Sequence, residues 1–101
     1  MAKLKALSKT EVMKRVTELE GWRVSREALR CEFRFESFKK ALQFVNKVAG
    51  MAEEADHHPD IDIRYSLVKL ALSTHDAGGI TEKDFQLAKA IDRLSSVRKS
   101  V

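Results

Sequence analysis

The hydrophobic period of this 101-residue chain changes repeatedly between the spacing of a helix and that of a strand. From Ser8, the pattern S-x-x-E followed by apolar residues at helical spacing predicts a short amphipathic helix to about Glu20. A short strand at residues 22–24 then leads to a second strand, in which every other residue from Leu29 to Phe35 is apolar. The chain must therefore combine amphipathic helices with half-buried antiparallel strands.

The second half of the chain repeats this order. Helical spacing returns after the second strand and must end before Pro59, because proline disfavours helix in the residue that precedes it. Strand alternation follows and slips near Ser66-Leu67, which predicts two strands joined by a tight turn. After Gly78-Gly79, a second capping box at Thr81 opens a final helix. The order α-β-β-α-β-β-α predicts an α+β two-layer fold, a four-stranded antiparallel sheet with three helices on one face.

Length and composition indicate one domain over residues 1–101, with residues 1–7 as a flexible basic N-terminal arm. The hydrophobic fraction of 44% and the charged fraction of 34% are typical of a globular protein. No apolar run approaches the roughly 20 residues that span a bilayer, so no membrane partner is expected. The single cysteine, Cys31, cannot form an internal disulfide, and we expect a cytoplasmic protein.

The net charge of +4 is concentrated at the N-terminus, where residues 1–15 carry five basic side chains and one acidic side chain. Such an arm is one way to bind nucleic acid, and that alternative predicts steeply salt-sensitive association. Residues 48–63, in contrast, contain five carboxylates and no lysine or arginine, and would repel a phosphate backbone. A nucleic-acid partner is therefore not expected.

All three histidines lie in one acidic window, His57 and His58 within E-E-A-D-H-H-P-D and His75 within S-T-H-D-A-G-G. Histidine changes charge near neutral pH, so the cluster indicates acid–base chemistry. A metal site is not expected, because adjacent histidines in an extended segment point to opposite faces and no second ligand pair follows. A structural role at the end of a helix is an equally weighted alternative.

Asp84 and Trp22 each have two interpretations. Asp84 falls at the third position of the last helix, where a carboxylate caps, yet it follows His75 closely enough to form the wall of a pocket. Capping is the favoured role from the residues alone. Trp22 is expected in the core or at its rim, where it also has the option of stacking on a flat heterocycle.

The histidine segments, E-x-x-D-H-H-P (Glu53–Pro59) and L-S-T-H-D-A-G-G-I-T-E-K-D (Leu72–Asp84), resemble those of the pterin-4a-carbinolamine dehydratases. The resemblance is strongest over residues 53–92, with Tyr65 and L-A-K-A-I-D included, and weaker upstream through G-W and F-R-F-x-S-F. It implies the two-layer fold and a lyase that dehydrates 4a-hydroxytetrahydropterin to quinonoid dihydropterin in tetrahydrobiopterin recycling. It also implies a homodimer or homotetramer without metal or organic cofactor.

The resemblance further assigns site residues. It gives the catalytic set as His57, His58 and His75, and the substrate-binding residues as Glu53, Asp56, Pro59, Trp22 and Asp84. We hypothesise that His57 and His75 transfer protons and that His58 also positions the pterin. The alternative is a non-catalytic dimeric binding or assembly module, or a transcriptional cofactor, on the same fold. The intact histidine set favours the enzyme, since a scaffold does not require all three.

Overall fold

The computed structural model describes residues 4–94 and, for residues 99 and 100, the backbone alone. The helices and strands, in chain order, are α1 (Lys9–Val16), β1 (Arg23–Ser25), β2 (Ala28–Arg34), α2 (Phe38–Ala55), β3 (Asp60–Arg64), β4 (Leu67–Leu72), α3 (Glu82–Asp92) and β5 (Lys99–Ser100). The predicted order α-β-β-α-β-β-α is confirmed. The two-residue β5 was not predicted, because two residues are too few to show an alternation of apolar and polar side chains.

The strands form one antiparallel sheet in the order β1-β2-β4-β3, and β5 also pairs with β2. The registers Leu29↔Leu72 and Phe33↔Val68 join the two central strands and align their apolar residues on one face. That face is fully buried beneath the helices. The opposite face carries charged side chains on the same strands, among them Arg30, Glu32 and Lys69. The alternation read from the sequence therefore predicted which sheet face the helices cover.

Aromatic packing at the centre of the core ties the sheet to α2. The ring of Phe33, which has no exposure, lies 4.8 Å from the ring of Phe44 on α2, centroid to centroid. The Trp22 ring meets Phe33 edge-on at 6.1 Å. Edge-on and tilted arrangements are the favoured ones for aromatic pairs, and they add to the free energy gained by burying these large rings.

Helix α1 ends earlier than predicted. After Val16 the N–H of Glu18 donates to the carbonyl of Arg15, and the N–H of Leu19 donates to that of Val16. These bonds reach back three residues instead of four, so the chain tightens and turns Leu19 into the core. Gly21 has φ of 83°, which glycine adopts without a steric penalty, and redirects the chain into β1.

Both hairpins turn through residues with positive φ. Arg26 (52°) and Glu27 (61°) form a two-residue loop between β1 and β2, and two successive left-handed residues match the twist of the strands. The second hairpin turns at Tyr65-Ser66, one residue before the predicted position. Tyr65 has φ of 54° and leaves the sheet, with 73% of its surface exposed.

A bidentate ion pair fastens α1 to the first residue of α3. The two terminal guanidinium nitrogens of Arg15 each donate to one carboxylate oxygen of Glu82 at 2.7 Å, and the guanidinium carbon lies 4.5 Å from the ring centroid of Phe85. The hydrogen bonds from Arg15 stabilise the ionised carboxylate and lower the pKa of Glu82. This pair holds the N-terminal end of α3, which carries Asp84.

We expect Glu82→Gln to reduce the free energy of unfolding at pH 7 by about 0.5–1 kcal/mol, a modest value because the Glu82 side chain is 46% exposed. Its folded-state pKa lies below the unfolded one. The wild-type advantage is therefore present above the unfolded pKa and is lost as the pH falls through the folded pKa. Urea unfolding at pH 7 and at about pH 2.5 should show the two proteins converging in acid. The exposed Glu36→Gln serves as the control, and an equal loss at pH 7 in both variants would contradict the account.

Candidate active site

The end of α2 determines where the histidine pair lies. Asp56 takes the left-handed conformation (φ 50°), and its N–H donates to the carbonyl of Glu53. The N–H of His57 donates to the carbonyl of Ala52 at 3.0 Å, which completes a Schellman motif. This turn directs the His57 side chain inward, with 9% exposure, and leaves His58 outside.

The N-terminus of α3 supplies a buried carboxylate. Thr81 caps the helix: its hydroxyl oxygen accepts a hydrogen bond from the N–H of Lys83 at 3.2 Å. Asp84 reciprocates, because its Oδ2 accepts from the N–H of Thr81 at 2.9 Å. Thr81 and Asp84 have no solvent exposure. The predicted capping role of Asp84 is thus confirmed.

The same carboxylate contacts a histidine. Nε2 of His57 lies 2.5 Å from Oδ1 of Asp84, within a buried contact that joins α2 to α3. An ionised carboxylate away from water requires hydrogen-bond partners. Asp84 has three of them: the His57 ring, the Thr81 N–H and the Thr74 hydroxyl, which donates to Oδ2 at 2.9 Å. One oxygen of this carboxylate, Oδ2, therefore caps the helix, while the other, Oδ1, contacts the His57 ring.

His75 lies on a tight loop beside this carboxylate. Thr74 and Gly79 exchange backbone hydrogen bonds of 2.8 and 3.3 Å, and between them His75–Ala77 form a single 3-10 turn. Gly78 ends that turn with φ of 74°, a conformation that glycine adopts without a steric penalty. His75 is exposed at the start of the turn, directly after Thr74, whose hydroxyl donates a hydrogen bond to Asp84.

His58 and Glu53 form a second pair on the surface. Nε2 of His58 lies 2.5 Å from Oε2 of Glu53, and the two side chains are 57% and 76% exposed. Water screens a pair of this kind, so it orients the ring more than it stabilises the fold. Pro59 follows half-buried and begins the extended approach to β3.

Trp22 has a different setting from the histidines. Its side chain is 6% exposed, and its Nε1–H donates to Oδ1 of Asp92 at 3.0 Å. With Phe33 on its other side, Trp22 packs in the core and anchors the C-terminal end of α3. Its described contacts do not include a histidine.

A groove of about 450 Å³ between α2 and α3 reaches His57. Half of its lining residues are apolar, and Glu54 and Lys83 carry full charges. Within residues 4–94, no cluster of three or more histidine, cysteine or acidic side chains is arranged to hold a metal ion. Among the helices described, none is both long and apolar enough to cross a membrane.

Two residues that hold the site together were missed by the sequence analysis. Thr74 directly precedes His75 in the motif, which was the available signal, but only the fold shows its hydroxyl against Asp84. Arg15 lies 67 positions from Glu82, and no local pattern could indicate that contact.

The fold and this site define a class: small two-layer α+β proteins in which one histidine of a pair at a helix end contacts a carboxylate at the start of the last helix. The chain belongs to the pterin 4 alpha carbinolamine dehydratase family, whose sequence model matches residues 5–94. A relative from Chloroflexus aurantiacus, named provisionally as a dehydratase of this kind, is 50% identical over 87% of this chain and 95% of its own.

Two solved structures resemble the fold. A protein from Brucella melitensis described as a transcriptional coactivator/pterin dehydratase matches with a TM-score of 0.83 at 32% identity, covering 87% of this chain and 96% of that one. A pterin dehydratase-like protein identified as a RuBisCO assembly factor of the alpha-carboxysome matches with a TM-score of 0.63 at 25% identity, covering 76% and 92%. The family thus shares this fold with at least one protein described by an assembly role.

Asp56 offers a test of the turn that directs His57 inward. We expect Asp56→Gly to be as stable as the wild type or more stable by about 0.5–1 kcal/mol, because glycine adopts positive φ without a steric penalty. Asp56→Val should lose about 1–2 kcal/mol, since a β-branched residue resists that conformation. Urea unfolding of the two variants measures both values. A glycine variant less stable than the wild type would show that the carboxylate itself contributes.

Proposed function

We propose that this protein is a lyase that removes water from a 4a-hydroxytetrahydropterin to give quinonoid dihydropterin, with histidines as acid and base, in tetrahydrobiopterin recycling. Family membership supports the reaction class. The observation that carries the proposal is the buried contact between His57 and Asp84, with His75 on the adjoining loop. A histidine held by a buried carboxylate is an arrangement suited to proton transfer.

The reaction needs two proton transfers in opposite directions. Hydroxide is a poor leaving group, so an acid protonates the oxygen on C4a while the C4a–O bond breaks and the oxygen departs as water with the bonding electrons. The N5 lone pair forms the new N5=C4a double bond, and a base then takes the N5 proton. The site must therefore hold one protonated and one neutral group near neutral pH, which histidine can provide in both forms.

His57 is assigned to one of these transfers. Asp84 accepts the Nε2–H of His57 and fixes the orientation of the ring. Nδ1, the nitrogen that Asp84 does not engage, then exchanges the proton with the pterin. In serine hydrolases, a carboxylate likewise fixes the tautomer and the orientation of the catalytic histidine. His75, exposed on its tight loop, supplies the second transfer.

The other predicted site residues support this centre. His58, oriented by Glu53, positions the pterin at the surface of the site. Asp56 and Pro59 fix the backbone on either side of the histidine pair, and Trp22 anchors the C-terminal end of α3 from the core. As the family resemblance implies, we further propose a cytoplasmic homodimer or homotetramer that uses neither a metal nor an organic cofactor.

Stopped-flow absorbance of 4a-hydroxytetrahydropterin decay tests the proposal against the spontaneous rate. We expect His57→Ala and His75→Ala each to reduce the accelerated rate by about 10²–10⁴-fold, the usual contribution of a positioned acid or base. His58→Ala should act mainly on KM, because it removes a binding contact. Lys47→Ala, at an exposed position on α2, is the control and should match the wild type. A triple histidine variant as fast as the wild type would overturn the assignment.

A non-catalytic assembly module is the second candidate, favoured by the similarity of the fold to the RuBisCO assembly factor. This candidate predicts that the wild-type protein leaves the spontaneous decay unchanged. It also predicts that a partner protein binds the triple histidine variant as tightly as the wild type. The lyase proposal predicts acceleration that depends on the histidines.

A further inference from the structure

A half-buried hydroxyl, that of Thr74, links the segments that carry the two proposed proton-transfer histidines. Thr74 donates from Oγ1 to Oδ2 of Asp84 at 2.9 Å, and Oδ1 of the same carboxylate contacts His57. Along the chain, Thr74 is bonded directly to His75. We propose that Thr74 is a positioning residue whose hydroxyl holds His57 and His75 as one unit through Asp84. The catalytic part of this inference rests on the proposed function, whereas the positioning part does not.

Proton counting fixes the direction of the network. Oγ1 of Thr74 also lies 2.7 Å from Oγ1 of Thr81. A hydroxyl carries a single proton, and that of Thr74 goes to Asp84, so the Thr81 hydroxyl donates to Thr74. Thr81 in turn accepts from the N–H of Lys83. The hydrogen bonds thus form a chain in which every donor is directed toward the Asp84 carboxylate, and each bond polarises and strengthens the following one.

The network selects one orientation of the carboxylate. Oδ2 receives the Thr81 N–H and the Thr74 hydroxyl, which leaves Oδ1 toward the imidazole. Without the Thr74 hydroxyl, a carboxylate with no solvent exposure loses one of its three donors. Rotation about its side-chain bonds to recover a partner would draw Oδ1 away from Nε2 of His57. The Thr74 hydroxyl therefore affects His57 indirectly, through the Asp84 carboxylate that contacts both residues.

The same bond sets the place of the His75 loop. The backbone of Thr74 is paired in both directions with Gly79, and its carbonyl also accepts from the N–H of Ala77. These backbone hydrogen bonds make the loop from 74 to 79 compact, so its position depends on that of Thr74. The hydrogen bond from the Thr74 side chain to Asp84 thus sets the distance between His75 and the carboxylate that contacts His57.

The test compares variants that differ by the hydroxyl. Thr74→Val keeps the shape and removes the donor, whereas Thr74→Ser keeps the donor and removes the methyl. The control is Thr17→Val, which removes an exposed hydroxyl that donates to the carbonyl of Lys14 at the end of α1. ¹⁵N NMR of histidine-labelled protein reports the ring nitrogens of the three histidines directly, because there are only three.

We expect Thr74→Val to shift the His57 ring-nitrogen signals and to leave those of the surface residue His58 unchanged. In the dehydration assay kcat should fall about tenfold or more, the effect of one lost hydrogen bond to a charged group, with little change in KM. Thr74→Ser should restore the signals and most of the rate. The control should behave as the wild type in both measurements.

Wild-type His57 signals and kcat in a folded Thr74→Val protein would overturn the proposal. Equal damage in Thr74→Ser would do the same, because it would assign the effect to the methyl group. Where circular dichroism shows that Thr74→Val does not fold, Thr74→Ala is compared with Thr74→Ser, a pair that differs by one oxygen. A wild-type protein that fails to accelerate dehydration would overturn the proposed function, while the NMR comparison still decides the positioning role.

Discussion

A carboxylate without solvent exposure, that of Asp84, is the constraint on which the site depends. Such a group is costly to bury unless several donors meet it, and here each donor comes from a different part of the fold. The end of α2 delivers His57, the loop after β4 delivers Thr74, and the cap of α3 delivers the Thr81 N–H. Satisfying Asp84 therefore brings together the segments that carry the histidines.

The sequence predicted the elements of this arrangement because they depend on local chemistry. Strand alternation gave the buried sheet face, Pro59 marked the end of α2, and the capping pattern at Thr81 located the start of α3. What it missed depends on contacts between distant segments. The Arg15–Glu82 pair and the Thr74 hydroxyl bond have no local signature. Likewise, α1 ends early because Leu19 is drawn into the core, a tertiary effect that overrides helical spacing.

The relatives show why the site matters more than the fold for function. The chain belongs to the carbinolamine dehydratase family, yet a protein with the same architecture is described as a RuBisCO assembly factor. A two-layer fold of this kind can serve either purpose. In this chain His57 and Thr74, the residue before His75, both contact the buried carboxylate of Asp84, an arrangement that supports the proposed enzymatic function over a scaffold.

The most direct test of this account is the dehydration rate of Asp84→Asn, measured together with its urea unfolding. Asparagine can still accept the Thr81 N–H and the Thr74 hydroxyl through its carbonyl oxygen, so α3 should remain capped and the protein folded. Its amide group, however, is a donor facing Nε2 of His57 and cannot accept the Nε2–H hydrogen bond that orients the ring. The account predicts a folded protein whose acceleration falls by about 100-fold or more. A folded Asp84→Asn protein with the wild-type rate would contradict it.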